Sequence, residues 1–368
     1  MIKIKSNRSD SCFVCFSPFQ NPGVSEDSYA FSNQLKINSY SQDLLFIKDN
    51  SNMWYNKKIK GMEGDSYFET KSELAKLLSP YKKVTLFGAS MGGYSSILFS
   101  NIDNVCESLA ISPQVFIKEG WPRYNQQTMT QKSILDLTDP SNSRFLEKSK
   151  VKVVVGSDEL FDLYQAYKLF GEKYLEYTTV VPNSYHNVAI YFHKRDIVLR
   201  FFDLVISGKF KTGMSPYGKF YKIDAEIFQC LKSAEFFELL ESYFCNFYSE
   251  NFKLAVEDAY QLHIRSSNWV GIHRLYGLAL YKNGEYEKAI QYLINAQNSI
   301  HIYDVFVELA DSCVKLKDYE GAFHYLMIGA KRNYFAVNSY MNKLTSKEHP
   351  DYAVLGKKVH EYFNNIER

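Results

Sequence analysis

Over roughly the first 205 residues, short apolar runs alternate with longer stretches in which apolar positions recur at helical spacing. The runs at 11–16, 43–47, 84–87, 108–111, 151–155 and 178–181 read as strands. The stretches 28–34, 66–78, 94–101, 162–174 and 187–207 read as helices, with 94–101 taken as amphipathic. Strand and helix in regular alternation predict an α/β domain with a mostly parallel sheet. The span 119–150 breaks the rhythm. It opens on Trp121-Pro122-Arg123-Tyr124 and continues as an Asn/Gln/Ser-rich tract, which fits an insertion over the end of the sheet.

Past residue 207 the pattern changes. Residues 208–221 are rich in Gly and basic side chains and read as a linker. From 222 to 368 no strand pattern returns, and the chain reads as all helix. That half carries a repeat. Phe252, Tyr286 and Tyr319 are 34 and 33 residues apart, and Ala255, Ala289 and Ala322 keep the same two intervals. Gly277 and Ala310 lie twelve residues ahead of the last two alanines, with Leu280 and Cys313 three further on. Leu293 and Leu326 come four after those alanines. Small residues at fixed places let paired helices approach, and an aromatic fills the gap between them. This arrangement resembles the tetratricopeptide (TPR) family, with residues 283–290 as its best copy. The first copy departs from it at Tyr243, where a small residue belongs, and the family's proline is absent. The resemblance implies a partner-binding or self-associating array. Tyr303, Phe306, Tyr334 and Tyr340 stand outside the repeat pattern. They are expected to line an open face or a dimer contact, or to pack a terminal helix at 352–366.

Composition narrows the classes. Hydrophobic residues at 46% and charged residues at 23% exclude disorder for most of the chain. Lys+Arg 43 against Asp+Glu 41 leaves a net charge of +2, too small for a nucleic-acid binder relying on counterion release. No apolar run is long enough to span a bilayer, and the opening Met1-Ile2-Lys3-Ile4-Lys5-Ser6 lacks the apolar core of a signal peptide, so a cytoplasmic location is expected. Six cysteines do not suggest a disulfide scaffold. Cys12 and Cys15 form a C-x-x-C inside an apolar run, where strand alternation puts them on opposite faces, so no metal site is expected. The 29 Tyr and 27 Phe suit sugar rings but equally fill cores.

The sharpest chemical signal is Gly88-Ala89-Ser90-Met91-Gly92, a G-x-S-x-G between an apolar strand and a helix. Turning straight from strand into helix strains the serine backbone and lifts its Oγ above the sheet. The two glycines let strand and helix approach, and the Met91 N–H at the helix start can meet a developing oxyanion. A nucleophilic serine needs a base. His186 stands just after the last strand and just before a helix, whereas His193 falls inside that helix, where a surface or packing role is expected. An acid is expected after the strand at 151–155, where the chain reads Gly156-Ser157-Asp158-Glu159-Leu160-Phe161-Asp162. Asp158 and Glu159 compete for it, and Asp162 is assigned to the start of the following helix. The second oxyanion donor is expected in the loop after residue 16. Pro18 has no N–H, which leaves Phe19 first in line.

With Ser90, an acid and His186 in that order, residues 1–205 resemble the α/β-hydrolase superfamily. That resemblance implies a histidine after the last strand. Its common acid position, three residues past the glycine, points to Glu159, while the commoner residue type points to Asp158. More narrowly, LFGASMGGYSSILF, LAISPQ, VVVGSDELFD and SYHNVAI are similar to the α/β-hydrolase-fold O-acetyltransferases of bacterial capsule loci, which share a segment like Ser112-Pro113-Gln114. This implies acetyl-CoA as donor, a surface polysaccharide as acceptor, no metal, and peripheral association with a membrane-bound polysaccharide-synthesis complex. The helical half is a departure from that family. Three readings follow: a serine acyltransferase working through an acyl-enzyme, an esterase or deacetylase on the same triad, and a TPR scaffold whose hydrolase-like domain is inactive.

Overall fold

The computed structural model describes residues 2–5, 7–19, 29–37, 40–56, 59, 62, 66–118, 121, 134–194, 197–213, 223–297, 305–345, 355–357 and 361. The chain divides into two compact units, Met1–Asp224 and Ala225–Arg368. Most of the expected linker lies outside the described residues, as do residues 119, 120 and 122–133 of the expected insertion.

The first unit is built on one sheet. Its strands are β1 (Ile2–Lys5), β2 (Ser11–Phe16), β3 (Asp43–Ile47), β4 (Lys83–Ala89), β5 (Val105–Ile111), β6 (Val151–Gly156) and β7 (Thr178–Val181), in the order β1-β3-β2-β4-β5-β6-β7. From β3 to β7 every pairing is parallel, while β1 pairs antiparallel with β3 at the edge. The six parallel strands are the six apolar runs. Strands covered on both faces have no polar side to show, so they read as continuous hydrophobic stretches.

Helices α1 (Ser32–Ile37), α2 (Tyr67–Leu78), α3 (Met91–Leu98), α4 (Leu160–Phe170), α5 (Tyr174–Tyr177), α6 (Val188–Lys194) and α7 (Val198–Ile206) connect or follow the strands. The expected single helix at 187–207 is two helices, α6 and α7. Their Val188, Tyr191, Phe192, Val198, Phe201, Phe202 and Val205 bury against Phe13, Cys15, Leu44, Phe46, Phe87, Leu109 and Val154 of the sheet. Helix α3 is not amphipathic as expected: all eight of its residues are buried. Segments on both sides cover it. Tyr94 meets the Trp54 ring edge-on and donates from its hydroxyl to the Leu135 carbonyl at 2.9 Å. Cys12 and Cys15 are both buried free thiols, and burial pushes the Cys12 thiol up to about 12.

The second unit is helical throughout its described residues: α8 (Ala225–Leu231), α9 (Ala234–Tyr248), α10 (Phe252–Arg265), α11 (Val270–Lys282), α12 (Tyr286–Ala296), α13 (Val305–Lys315) and α14 (Tyr319–Thr345). The repeat is written in the backbone as well as the side chains. Glu250, Gly284 and Lys317, at the same 34- and 33-residue intervals, each take a positive φ (63°, 85° and 62°) between the helices of a pair. One residue later, Asn251, Glu285 and Asp318 donate their N–H groups to Asn246, Leu280 and Cys313, closing the preceding helix in the same way each time. Ala255, Ala289 and Ala322 are fully buried. A side chain at Gly277 would run into Leu293, which is why that place must be small. Tyr243, at the place occupied by Gly277 in the next pair, is also buried and donates from its hydroxyl to the Leu275 carbonyl at 2.9 Å.

Of the aromatics outside the repeat, Phe306 is fully buried rather than on an open face, and Tyr340 donates to Asp311 at 2.8 Å. Tyr303 and the side chain of Tyr334 lie outside the described residues. The described part of the expected terminal helix, 355–357 and 361, is helical, and Leu355 buries against Ala310, Cys313, Ala322 and Leu326.

Candidate active site

The G-x-S-x-G segment makes the sharp turn its spacing demands. β4 ends on Ala89, α3 begins at Met91, and Ser90 between them has φ 55° and ψ −120°, a strained conformation for a residue with a side chain. A side chain at Gly88 would strike the Gly92 carbonyl, and one at Gly92 would strike the Phe16 carbonyl of β2. Both positions must be glycine for strand and helix to close on each other. The Ser90 N–H donates to the Ile111 carbonyl of β5 at 2.8 Å, and the Ser90 carbonyl accepts from Tyr94 at 3.0 Å. The turn is thus tied to the next strand on one side and to its own helix on the other.

His186 follows β7 on a short loop. Its Nδ1 lies 2.7 Å from Oδ2 of Asp162, whose side chain is wholly buried. An ionised carboxylate can only accept, so Nδ1 carries the proton and Nε2 is left as the basic nitrogen. This is a correction to the sequence reading. The carboxylate on His186 is neither Asp158 nor Glu159. Helix α4 starts at Leu160, two residues earlier than its apolar spacing suggested, and this turns Asp162 inward from the first helical turn.

The two expected acids serve the scaffold. Asp158 accepts from the Ser157 hydroxyl at 3.1 Å, and its N–H donates to the Ser184 carbonyl at 2.9 Å. Glu159 is the N-cap of α4 and accepts the Phe161 N–H at 3.3 Å. Both are buried. The Asp158–Ser184 bond and one from the Asn183 N–H to the Ser157 hydroxyl, at 2.9 Å, tie the β6 exit to the loop that carries His186.

Ser90 and His186 line one cavity of about 340 Å³. Its wall is mostly apolar, with Ala30, Phe31, Ala89, Ile111 and Ile190, and its polar members include Gln34, Asn187 and His193. His193, expected to have a surface or packing role, is exposed and also faces this space. Pro18 reaches the wall from the loop after β2. In that loop the Ser17 N–H is already given to the Ile47 carbonyl at 2.9 Å and Pro18 has none, so Phe19 offers the next N–H. The loop is braced by Tyr55, which donates from its hydroxyl to the Ser17 carbonyl at 2.8 Å. Met91 opens α3, so its N–H has no carbonyl partner within the helix.

Sequence reasoning passed over one further neighbour. The Ser90 hydroxyl donates to Oε1 of Gln114 at 3.1 Å, and Gln114 is 1% exposed. The signal for it was Ser112-Pro113-Gln114 itself, quoted for its likeness to another family but given no role. Among the described residues no group of three His, Cys, Asp or Glu side chains is placed to hold a metal ion, and no helix is long and apolar enough to cross a membrane. No protein-family model, curated protein or solved structure matches the chain.

Proposed function

We propose that the first unit is an α/β-hydrolase-type enzyme that transfers an acyl group through Ser90, with His186 as base and Asp162 as its orienting acid. The observation that carries this reading is the pairing of His186 Nδ1 with buried Asp162, in a cavity that Ser90 enters from a strained strand–helix turn. The sheet order, with its antiparallel edge strand, and the exits of Ser90 after β4, Asp162 after β6 and His186 after β7 agree with it.

The chemistry runs in two halves. The Ser90 hydroxyl, which rests on Gln114 Oε1 in the free protein, turns to His186 when substrate binds; Ser90 Oγ then attacks the acyl carbonyl and gives its proton to His186 Nε2. Asp162 holds the imidazolium thus formed in place. The oxyanion meets the Met91 N–H and, as second donor, the Phe19 N–H. Collapse breaks the bond to the leaving group, which takes the proton back from His186. An acceptor hydroxyl then repeats the sequence on the acyl-enzyme and regenerates Ser90.

The acyl donor is acetyl-CoA and the acceptor a hydroxyl of a bacterial surface polysaccharide. This part rests on the resemblance of the Ser90, Gln114 and His186 segments to capsule O-acetyltransferases. The 34- and 33-residue helix pairs of the second unit support a TPR-like array that recruits a protein partner or a second copy in the cytoplasm, at a polysaccharide-synthesis complex. One observation favours a second reading, hydrolysis by an esterase or deacetylase. Among the described residues the cavity wall carries no lysine or arginine to meet the phosphates of coenzyme A. Incubation with labelled acetyl-CoA and a panel of polysaccharides decides between them. Label passing to polymer supports transfer, and label released only as acetate supports hydrolysis.

A further inference from the structure

Gln114 is held at the nucleophile by more structure than a bystander needs. The chain leaves β5 at Ile111, whose carbonyl holds the Ser90 N–H, and turns at Ser112 with φ 44°, a conformation costly for a residue with a side chain. The turn brings the Gln114 amide back over its own backbone. Nε2 donates to the Ser112 carbonyl at 3.3 Å, and Oε1 accepts from Ser90 at 3.1 Å. A carbonyl can only accept, so the amide nitrogen must face Ser112 and the amide oxygen must face Ser90. The orientation is fixed by chemistry.

Downstream, the segment is clamped by α4. Oε1 of the fully buried Gln165 accepts from the Val115 N–H at 2.7 Å and the Phe116 N–H at 3.1 Å. Gln165 is three residues after Asp162, on the same face of the helix. One helix face therefore sets both the base, through Asp162, and Gln114, through Gln165.

In the free enzyme the Ser90 hydroxyl satisfies Oε1. Once Ser90 is acylated, as proposed above, its oxygen is an ester and has no proton to give. A buried acceptor that loses its donor is expensive, so Oε1 will take a donor from whatever enters next. The reacting hydroxyl cannot serve, because its single proton goes to His186. We propose that Gln114 binds the second hydroxyl of a vicinal diol on the acceptor, and so selects diol-bearing glycans over simple alcohols in the second half-reaction. The balance is complete. The reacting hydroxyl loses its proton to His186 Nε2 and bonds the acyl carbon, the Ser90 ester bond breaks, and Ser90 Oγ recovers the proton. The neighbouring hydroxyl only donates a hydrogen bond to Oε1.

The test is partition of the acyl-enzyme, which is decided after acylation whichever half-reaction limits the rate. Wild type and Gln114→Met turn over 4-nitrophenyl acetate with propane-1,2-diol or propan-1-ol at equal concentration, and ester products are counted against acetate. Wild type should favour the diol by about fivefold, the worth of one neutral hydrogen bond, and Gln114→Met should lose that preference. Equal preference in the two proteins, or a wild type that captures both alcohols alike or neither, overturns the proposal. A wild type with no turnover of the ester at all, or a Ser90→Ala variant with undiminished turnover, instead brings down the Ser90 reading on which it rests. Gln114→Met removes the hydrogen bond that Ser90 makes, so its phosphonylation by a fluorophosphonate serves as a measure of site integrity and not as a fixed baseline, and the diol-to-alcohol ratio within each protein carries the test. Loss of labelling together with the diol preference would mark a collapsed site and count against a selective role.

Discussion

Nδ1 of His186 and Oδ2 of Asp162 lie 2.7 Å apart, although 24 residues separate them and two other carboxylates stand nearer in sequence to the end of β6. The pair joins a loop to the first turn of a helix. Its effect is to fix which imidazole nitrogen carries a proton, and so which one can act on Ser90.

Asp162→Asn should keep the fold and lose activity. An amide donor opposite Nδ1 selects the wrong tautomer, for which a fall in kcat of about 10⁴-fold is the order expected. Asp158→Asn should retain turnover within about tenfold, since Asp158 touches Ser157 and the backbone and not His186. Steady-state hydrolysis of 4-nitrophenyl acetate, compared across the two variants at matched thermal stability, checks both.

Glu159→Ala should act on stability instead. Removing the acceptor for the Phe161 N–H costs about 1 kcal/mol, as for other N-caps. Thermal unfolding should show this fall, while KM for a small ester stays unchanged.

The contrast between these carboxylates shows what the sequence held and what it did not. The six parallel strands were legible because buried strands are short apolar runs between turn signals. The Ser90 turn was legible because only Gly at 88 and 92 lets strand and helix meet. The alternation of apolar and basic residues at Ile2-Lys3-Ile4-Lys5 fits the edge strand β1, but four residues alone do not mark a strand. Distance along the chain from Gly156 hides Asp162. Helical geometry decides it, and that required knowing α4 starts at Leu160. Burial of α3 on every side follows from segments contributed by residues 54 and 135, which no local pattern could reveal.

Acidification should weaken the second unit. The His263 and His273 rings sit 5.4 Å apart, among Tyr260, Tyr276 and Tyr292. Burial lowers the pKa of both, and for His273 the nearby His263 adds to it. The unfolded chain therefore takes up protons first, near the ordinary value of 6.5. Stability is full above that value and is lost as pH falls through it. The melting temperature of wild type should drop more steeply between about pH 7.5 and 5.5 than that of a His263→Phe/His273→Phe variant. Parallel profiles would contradict this.

The two units should separate in function. Residues 1–224 alone should turn over a small acyl ester at close to the full-length rate, because Ser90, Asp162 and His186 all lie within that unit. Its oligomeric state in sedimentation, or its activity on polymer, should differ from that of the whole chain. A fragment equal to the full chain in both respects would remove the recruiting role from the helical array.

The most direct test of the central claim is covalent labelling by a fluorophosphonate, read by intact mass and peptide mapping. One adduct per chain is expected on the Ser90 peptide and none in Ser90→Ala, with labelling slowed by at least about 10³-fold in His186→Ala. An adduct elsewhere, or labelling of Ser90→Ala at the wild-type rate, would contradict it.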